Sequence, residues 1–139
     1  INQNAKLLLS YKEADIDCEI FNFTDSINKY YSRVNLVITR SGASVLGELV
    51  NVKVPFISIP LPSSADNHQF KNAQFYQKKG FGYLLEEKNI KNELYDLIRS
   101  FYQDKSRIKN ILSKQRQYSD KDVFRNLKNQ LEKILDEKN

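Results

Sequence analysis

Residues 36–50 join two incompatible periodicities through a single glycine. Leu36, Val37 and Ile38 form a short apolar run with β-branched members, long enough for a buried strand. Arg40, Ser41 and Gly42 interrupt it, and from Ala43 the pattern becomes helical, with Val45, Leu46, Leu49 and Val50 on one side. Gly42 permits a positive φ and a close approach to the backbone. Ser41 is a candidate N-cap. A strand that feeds a helix through a glycine turn leaves unpaired N–H groups pointing outward. With the helix dipole these form an anion site. Glu48 lies one turn after Ser44 on the same face, where a carboxylate can accept two hydrogen bonds from a vicinal diol such as a ribose. An anion cradle beside a diol acceptor points to a nucleotide. The plainer alternative is that Gly42 only turns the chain and Glu48 is solvated, since strand–Gly–helix joints are common in α/β folds.

The flanking chain repeats this alternation. Asn4 to about Ala14 has helical spacing, Asp15 to Asp17 turn, and Cys18–Phe23 reads as a strand. Thr24, Asp25 and Ser26 offer caps for a short helix carrying Ile27, Tyr30 and Tyr31. Residues 35–39 form the next strand, 43–51 a helix, and 54–59 a third strand with Pro55 near its start. The loop 60–65 then leaves the carboxyl end of that strand, the edge where ligands sit in open α/β sheets. Asp66 opens a helix to about Lys79, with Gly80 as its left-handed C-cap, and Phe81–Leu85 is a fourth strand. This spacing predicts an α/β fold, a Rossmann-like, doubly wound parallel sheet with flanking helices. After Gly82 there is no glycine or proline, and three apolar stripes follow: Leu94, Leu97, Ile98 and Phe101; Ile108, Ile111 and Leu112; and Val123 to Leu135. The expected organisation is one domain over 1–139, with 1–87 the α/β part and 88–139 a helical tail.

Composition narrows the partners. The 139 residues suit a single domain, and a net charge of +5 suits a phosphate-bearing ligand without demanding nucleic acid. Cys18 stands alone, so neither an internal disulfide nor a multi-cysteine metal site is available, in keeping with a reducing compartment. No apolar run approaches the length of a membrane span. The start at Ile1 lacks an initiator Met, which suggests a processed product or a piece of a longer chain. The basic residues from Lys105 to Lys128 alternate with Asp104, Asp120 and Asp122, which fits a solvated helix face; an RNA- or membrane-binding patch is the alternative.

Asp66-x-x-Gln69 has the form of a capping box, which by itself accounts for both residues. The functional alternative is that Asn67, His68 and Gln69 direct neutral donors and acceptors at a hydroxylated ligand. His68 is the only histidine and has no acidic or cysteine constellation that suggests a metal site. Glycine-rich phosphate loops, a nucleophile elbow and an Asp-x-Asp pair are all missing from the sequence.

The run Val37–Ala43, then Glu48, then Pro55–Pro60, then Asp66-Asn67-His68-Gln69 with Asn72-Ala73, resembles the MurG family. These are the UDP-N-acetylglucosamine transferases that convert lipid I to lipid II in bacterial peptidoglycan synthesis. The resemblance covers about Asp17 to Leu85 and falls in the C-terminal, donor-binding domain of a GT-B glycosyltransferase. It implies donor-binding roles. The backbone at Thr24 meets the uracil edge, and Glu48 binds the ribose hydroxyls. Ser41, Gly42, Ala43, Ser44 and Val45 lie against the diphosphate and sugar, and Arg40 supports the loop or the phosphates. Gln69, His68 and Asn72 face the N-acetylglucosamine. Val45 stands where the family usually has Thr, and His68 where some members have Gln.

The resemblance also implies an inverting reaction with no cofactor, no metal and no nucleic-acid partner. The general base, the lipid I acceptor site, the membrane contact and a glycine-rich phosphate loop are expected upstream, so no catalytic residue is assigned in this chain and little activity is expected of it alone. The expected setting is the cytoplasm, peripheral on the inner face of the cell membrane. Two alternatives stand: a separate nucleotide-sugar-binding subunit of a two-chain transferase, and a basic nucleic-acid-binding domain.

Overall fold

The computed structural model describes residues 3–118. The chain divides into two compact units, 1–33 and 34–139. The third apolar stripe expected at 123–135, with Lys121, Arg125 and Lys128, lies outside the described residues.

The first unit contains helix α1 (Gln3–Glu13) and the one-turn helix α2 (Asn28–Tyr31). The Asp15 backbone turns left-handed (φ 52°) after α1. The N–H of Asp15 then bonds the carbonyl of Lys12 at 3.1 Å and that of Ile16 the carbonyl of Tyr11 at 2.9 Å, a Schellman closure. Residues 18–23 do not form the expected strand. An apolar pattern favours extended backbone, but a strand exists only with a partner ladder. Among the described residues of this unit no strand supplies one. The caps expected of Thr24–Ser26 do not form either. Ile27 occupies the N-cap position of α2 without a side-chain bond, while Thr24 Oγ1 accepts from the Ser26 N–H at 3.1 Å. The Tyr30 phenol donates to the Glu19 carboxylate at 2.7 Å, and this bond raises its pKa above the usual tyrosine value.

The second unit is built on three parallel strands in the order β1 (Val37–Arg40), β2 (Phe56–Ile59), β3 (Tyr83–Leu84). Val37 pairs with Phe56 and Arg40 with Ile59, and Ile57 pairs with Tyr83. Parallel neighbours need crossovers, supplied by α3 (Ala43–Asn51) and α4 (His68–Lys78). Helices α5 (Ile90–Gln103) and α6 (Lys105–Gln117) follow β3.

All four β2 residues are buried, which requires cover on both faces. Side chains alternate along a strand. On one face Ile57 and Ile59 join Leu85, Phe101 of α5 and Ile111 of α6. On the other, the Phe56 ring meets Tyr76 of α4 edge-on, with centroids 6.1 Å apart. Helix α3 buries Leu46, Leu49 and Val50, the stripe read from its sequence. Asp104 caps α6 by accepting from the Ser106 N–H at 2.9 Å, and the Ser106 hydroxyl first, with this backbone bond second, holds its carboxyl below the usual range.

Helix ends set the loop geometry. Gly80 adopts φ 74°, as its position after α4 predicts, and the Gly80 and Phe81 N–H groups close on Gln77 (2.9 Å) and Tyr76 (3.0 Å). Lys53 makes the same closure after α3 with φ 60°, a conformation the sequence did not advertise because lysine rarely adopts it.

The amino edge of the sheet is sealed by one side chain. Gln115 of α6 is fully buried, and its Nε2 donates to the carbonyls of Val54 (3.1 Å) and Phe81 (2.8 Å), which precede β2 and β3. Gln115→Leu keeps the volume but strands both carbonyls. We expect chemical denaturation to show about 2 kcal/mol of lost stability, the cost of unsatisfied buried acceptors. An unchanged midpoint would contradict this account of the edge.

Candidate functional site

The carboxyl ends of all three strands open on one edge, and β1 delivers the chain there at Arg40. Ser41 follows, fully buried, and its Oγ has no hydrogen-bond partner among the described residues. It is therefore not the N-cap. Gly42 holds that position, with φ −68°, ψ 137° and no side-chain bond. The positive φ expected of Gly42 is also absent, since this extended backbone is open to any residue.

A Cβ built on Gly42 would meet no atom within 4 Å. Neither backbone conformation nor internal packing thus requires glycine at this position. The remaining physical use for it is close approach by something outside the described fold.

Helix α3 begins immediately above. Its first intrahelical bond runs from the Leu46 N–H to the Gly42 carbonyl at 3.0 Å. Helical geometry therefore leaves the N–H groups of Gly42, Ala43, Ser44 and Val45 without a partner in their own helix. Among the described residues no side chain caps them, and the first turn carries no acidic residue to neutralise the dipole. Ala43 and Ser44 are exposed, while Gly42 and Val45 are half-buried. One turn on, the half-buried Glu48 carboxylate has no hydrogen-bond or ion-pair partner among the described residues.

The second motif arrives on α4, but not through the expected capping box. A single 3-10 turn, Ala65–Asn67, precedes α4, with Asp66 (φ 48°) and Asn67 (φ 56°) both left-handed. Asn67 stands at the N-cap position without a side-chain bond, and Gln69 does not reach back to Asp66. Asp and Asn tolerate this conformation better than other non-glycine residues, yet two in succession store strain of the kind that collects at functional sites.

Gln69 Oε1 instead accepts from the Leu61 N–H at 3.0 Å, which turns its amide Nε2 away from that bond as a free donor. The His68 ring is exposed, and its Nδ1 lies 2.7 Å from the Ala65 carbonyl, so Nδ1 carries the proton and Nε2 is an acceptor. Asn72 Nδ2 donates to the Ser41 carbonyl at 3.1 Å and ties the two motifs together.

Arg40 pairs with Glu87, in the 3-10 turn after β3, rather than standing free at the loop. Beside this pair a cleft of about 370 Å³ is lined by Pro60, Leu61, Pro62, Asn67, Phe70 and Glu87. Sequence reasoning missed Glu87, and no local signal marks it. The structure thus gathers Arg40, Ser41, Gly42, Gln69 and Asn72 at one edge of the 34–139 unit, with Ala43, Ser44, Val45 and Glu48 on the first turns of α3. Thr24 belongs to the 1–33 unit, where its backbone makes no turn or loop hydrogen bond among the described residues.

Residues 2–131 match the glycosyltransferase family 28 C-terminal domain. The chain belongs to that family. Among its relatives is the UDP-N-acetylglucosamine–N-acetylmuramyl-(pentapeptide) pyrophosphoryl-undecaprenol N-acetylglucosamine transferase of Pelagibacter ubique. It is 45% identical over 93 residues, covering 63% of this chain and 26% of that protein. The enzyme of the same name from Rickettsia prowazekii is 37% identical over 124 residues, 84% of this chain and 32% of that protein. This chain therefore spans about a quarter to a third of the relatives it matches. The crystal structure of Acinetobacter baumannii MurG superposes with a TM-score of 0.70 over 85% of this chain and 35% of that one. At 22% identity this likeness shows the fold: the Rossmann-like C-terminal half expected from the sequence.

The openness above Gly42 makes a test of this turn that needs no ligand. Gly42→Ala introduces a methyl group into free space at an allowed φ. We expect thermal and chemical unfolding to move by less than about 1 kcal/mol. A larger loss would mean that the glycine serves the fold.

Proposed function

We propose that this chain is the UDP-N-acetylglucosamine-binding part of an N-acetylglucosaminyltransferase of peptidoglycan synthesis, acting on lipid I to give lipid II. One observation carries the reading: among the described residues the amino end of α3 is uncapped, free of acid and open above Gly42, while Glu48 one turn deeper has no partner. A diphosphate needs hydrogen-bond donors and positive potential, and both are present there. A ribose diol needs a paired acceptor, which the Glu48 carboxylate offers. The names of the relatives supply the sugar and the acceptor.

In this reading the N–H groups of Gly42, Ala43, Ser44 and Val45 bind the diphosphate; Val45 contributes only its backbone. Gln69 Nε2, His68 Nε2 and Asn72 Oδ1 serve the sugar hydroxyls. The acceptor hydroxyl attacks the anomeric carbon from the face opposite the diphosphate. A new carbon–oxygen bond forms as the bond to the β-phosphate oxygen breaks, with inversion. UDP departs with the electron pair, and the acceptor proton passes to a base outside these residues. Charge growing on the leaving diphosphate meets fixed amide dipoles, a form of electrostatic preorganisation that requires no metal ion. Arg40 stands at the same edge in an ion pair with Glu87, which compensates its charge.

The acceptor site and the base belong to sequence outside this chain, either in the same polypeptide or on a separate subunit. The relatives' much greater length favours such a second part. Among the described residues no helix is long and apolar enough to cross a membrane. Contact with a cytoplasmic membrane face is proposed for that second part.

Calorimetric titration tests the reading. The chain should bind UDP and UDP-N-acetylglucosamine without turning over a lipid I analogue. Glu48→Ala should weaken both nucleotides by ten- to a hundredfold, the range for hydrogen bonds to a charged group. Equal affinities in wild type and Glu48→Ala would contradict the ribose assignment.

A further inference from the structure

The hydrogen bond between α4 and the β1–α3 turn suggests a role for Asn72 apart from touching sugar. Ser41 C=O and Gly42 N–H share one peptide plane, and in a trans peptide they point in opposite directions. Whatever holds the carbonyl therefore aims the amide. Asn72 Nδ2 holds the Ser41 carbonyl at 3.1 Å across 31 residues of sequence. No other side chain among the described residues engages that peptide. The Ser41 hydroxyl, although buried, has no partner among the described residues and lends no support.

Gly42 makes this restraint necessary. A glycine without neighbours at its α-carbon has the least steric resistance to rotation of the preceding peptide. If that plane turned over, it would present a carbonyl oxygen to an incoming phosphate in place of an N–H. The absence of a side chain that lets a ligand approach therefore also removes the local barrier that would keep the amide pointed at it.

We propose that Asn72 is a positioning residue for the diphosphate cradle: by holding the Ser41 carbonyl it fixes the outward direction of the Gly42 N–H. This rests on the donor-site reading above and deepens it. It also gives a reason for the two separated motifs to occur together: the second motif aims the first.

The test uses the isotopically labelled chain as wild type, Asn72→Leu and Asn72→Asp; the aspartate keeps the shape and removes the donor. In the free chain, both variants should shift and broaden the Gly42 amide resonance while the α3 core resonances of Leu46 and Leu49 stay in place. Titrations with uridine, UDP and UDP-N-acetylglucosamine then separate the roles. For Asn72→Leu we expect about tenfold weaker binding of UDP, which carries no sugar, at least as large a loss for UDP-N-acetylglucosamine, and uridine unaffected. A loss confined to UDP-N-acetylglucosamine would make Asn72 a sugar contact only and overturn the proposal. An unchanged Gly42 resonance would overturn it whether or not nucleotide binds. Failure of the wild type to bind UDP would instead overturn the donor-site reading, with the Gly42 resonance still deciding whether Asn72 orients the peptide.

Discussion

Four backbone N–H groups at the start of α3 have no carbonyl to bond in their own helix, and among the described residues of the 34–139 unit no side chain caps them. Every helix meets the first half of that constraint. Most answer it with a Ser, Thr, Asp or Asn side chain. Here the one hydroxyl available, that of Ser41, is turned into the interior, and the cap position is given to glycine. The result is a concentrated patch of donors and positive potential at a fixed place on the sheet edge. A solvated helix end can remain uncapped at modest cost. A glycine that the described fold does not need and a second motif tied to the first peptide of the helix fit the anion site proposed above.

The rest of the 34–139 unit keeps that patch rigid. Leu46, Leu49 and Val50 fasten α3 to the sheet, and parallel pairing from Val37 to Arg40 fixes where the strand ends. Gln115 closes the opposite edge by satisfying carbonyls ahead of β2 and β3. The two edges thus differ in kind. One is sealed by a buried amide, and the other is left with donors, a strained left-handed pair at Asp66 and Asn67, and an ion pair between Arg40 and Glu87. Such asymmetry is what an open parallel sheet needs in order to bind at its carboxyl end.

Much of this was legible in the residues because the signals are local. The apolar run at 36–38 followed by helical spacing from Ala43 marked the joint, and Gly80 marked the end of α4 with the left-handed backbone it was expected to adopt. The illegible parts depend on partners far away in sequence or on strain. Residues 18–23 read as a strand, but that reading could not show that the described residues of their unit hold no strand to pair with them. Asp66 and Gln69 have the spacing of a capping box, yet the left-handed turn and the Leu61 amide claim them for a different loop. The bonds Asn72–Ser41, Arg40–Glu87 and Gln115–Val54 span 31, 47 and 61 residues, distances over which spacing carries no information. Family resemblance brought Asn72 into the site, and the structure supplied its partner.

Amide chemical-shift mapping during titration with UDP, set against titration with uridine, probes the central claim most directly. If the α3 amino end holds the diphosphate, the backbone resonances of Gly42, Ala43, Ser44 and Val45 will move with UDP and remain still with uridine. If UDP moves the resonances of α6 between Lys105 and Gln117 and leaves those four in place, the anion binds elsewhere and the account fails.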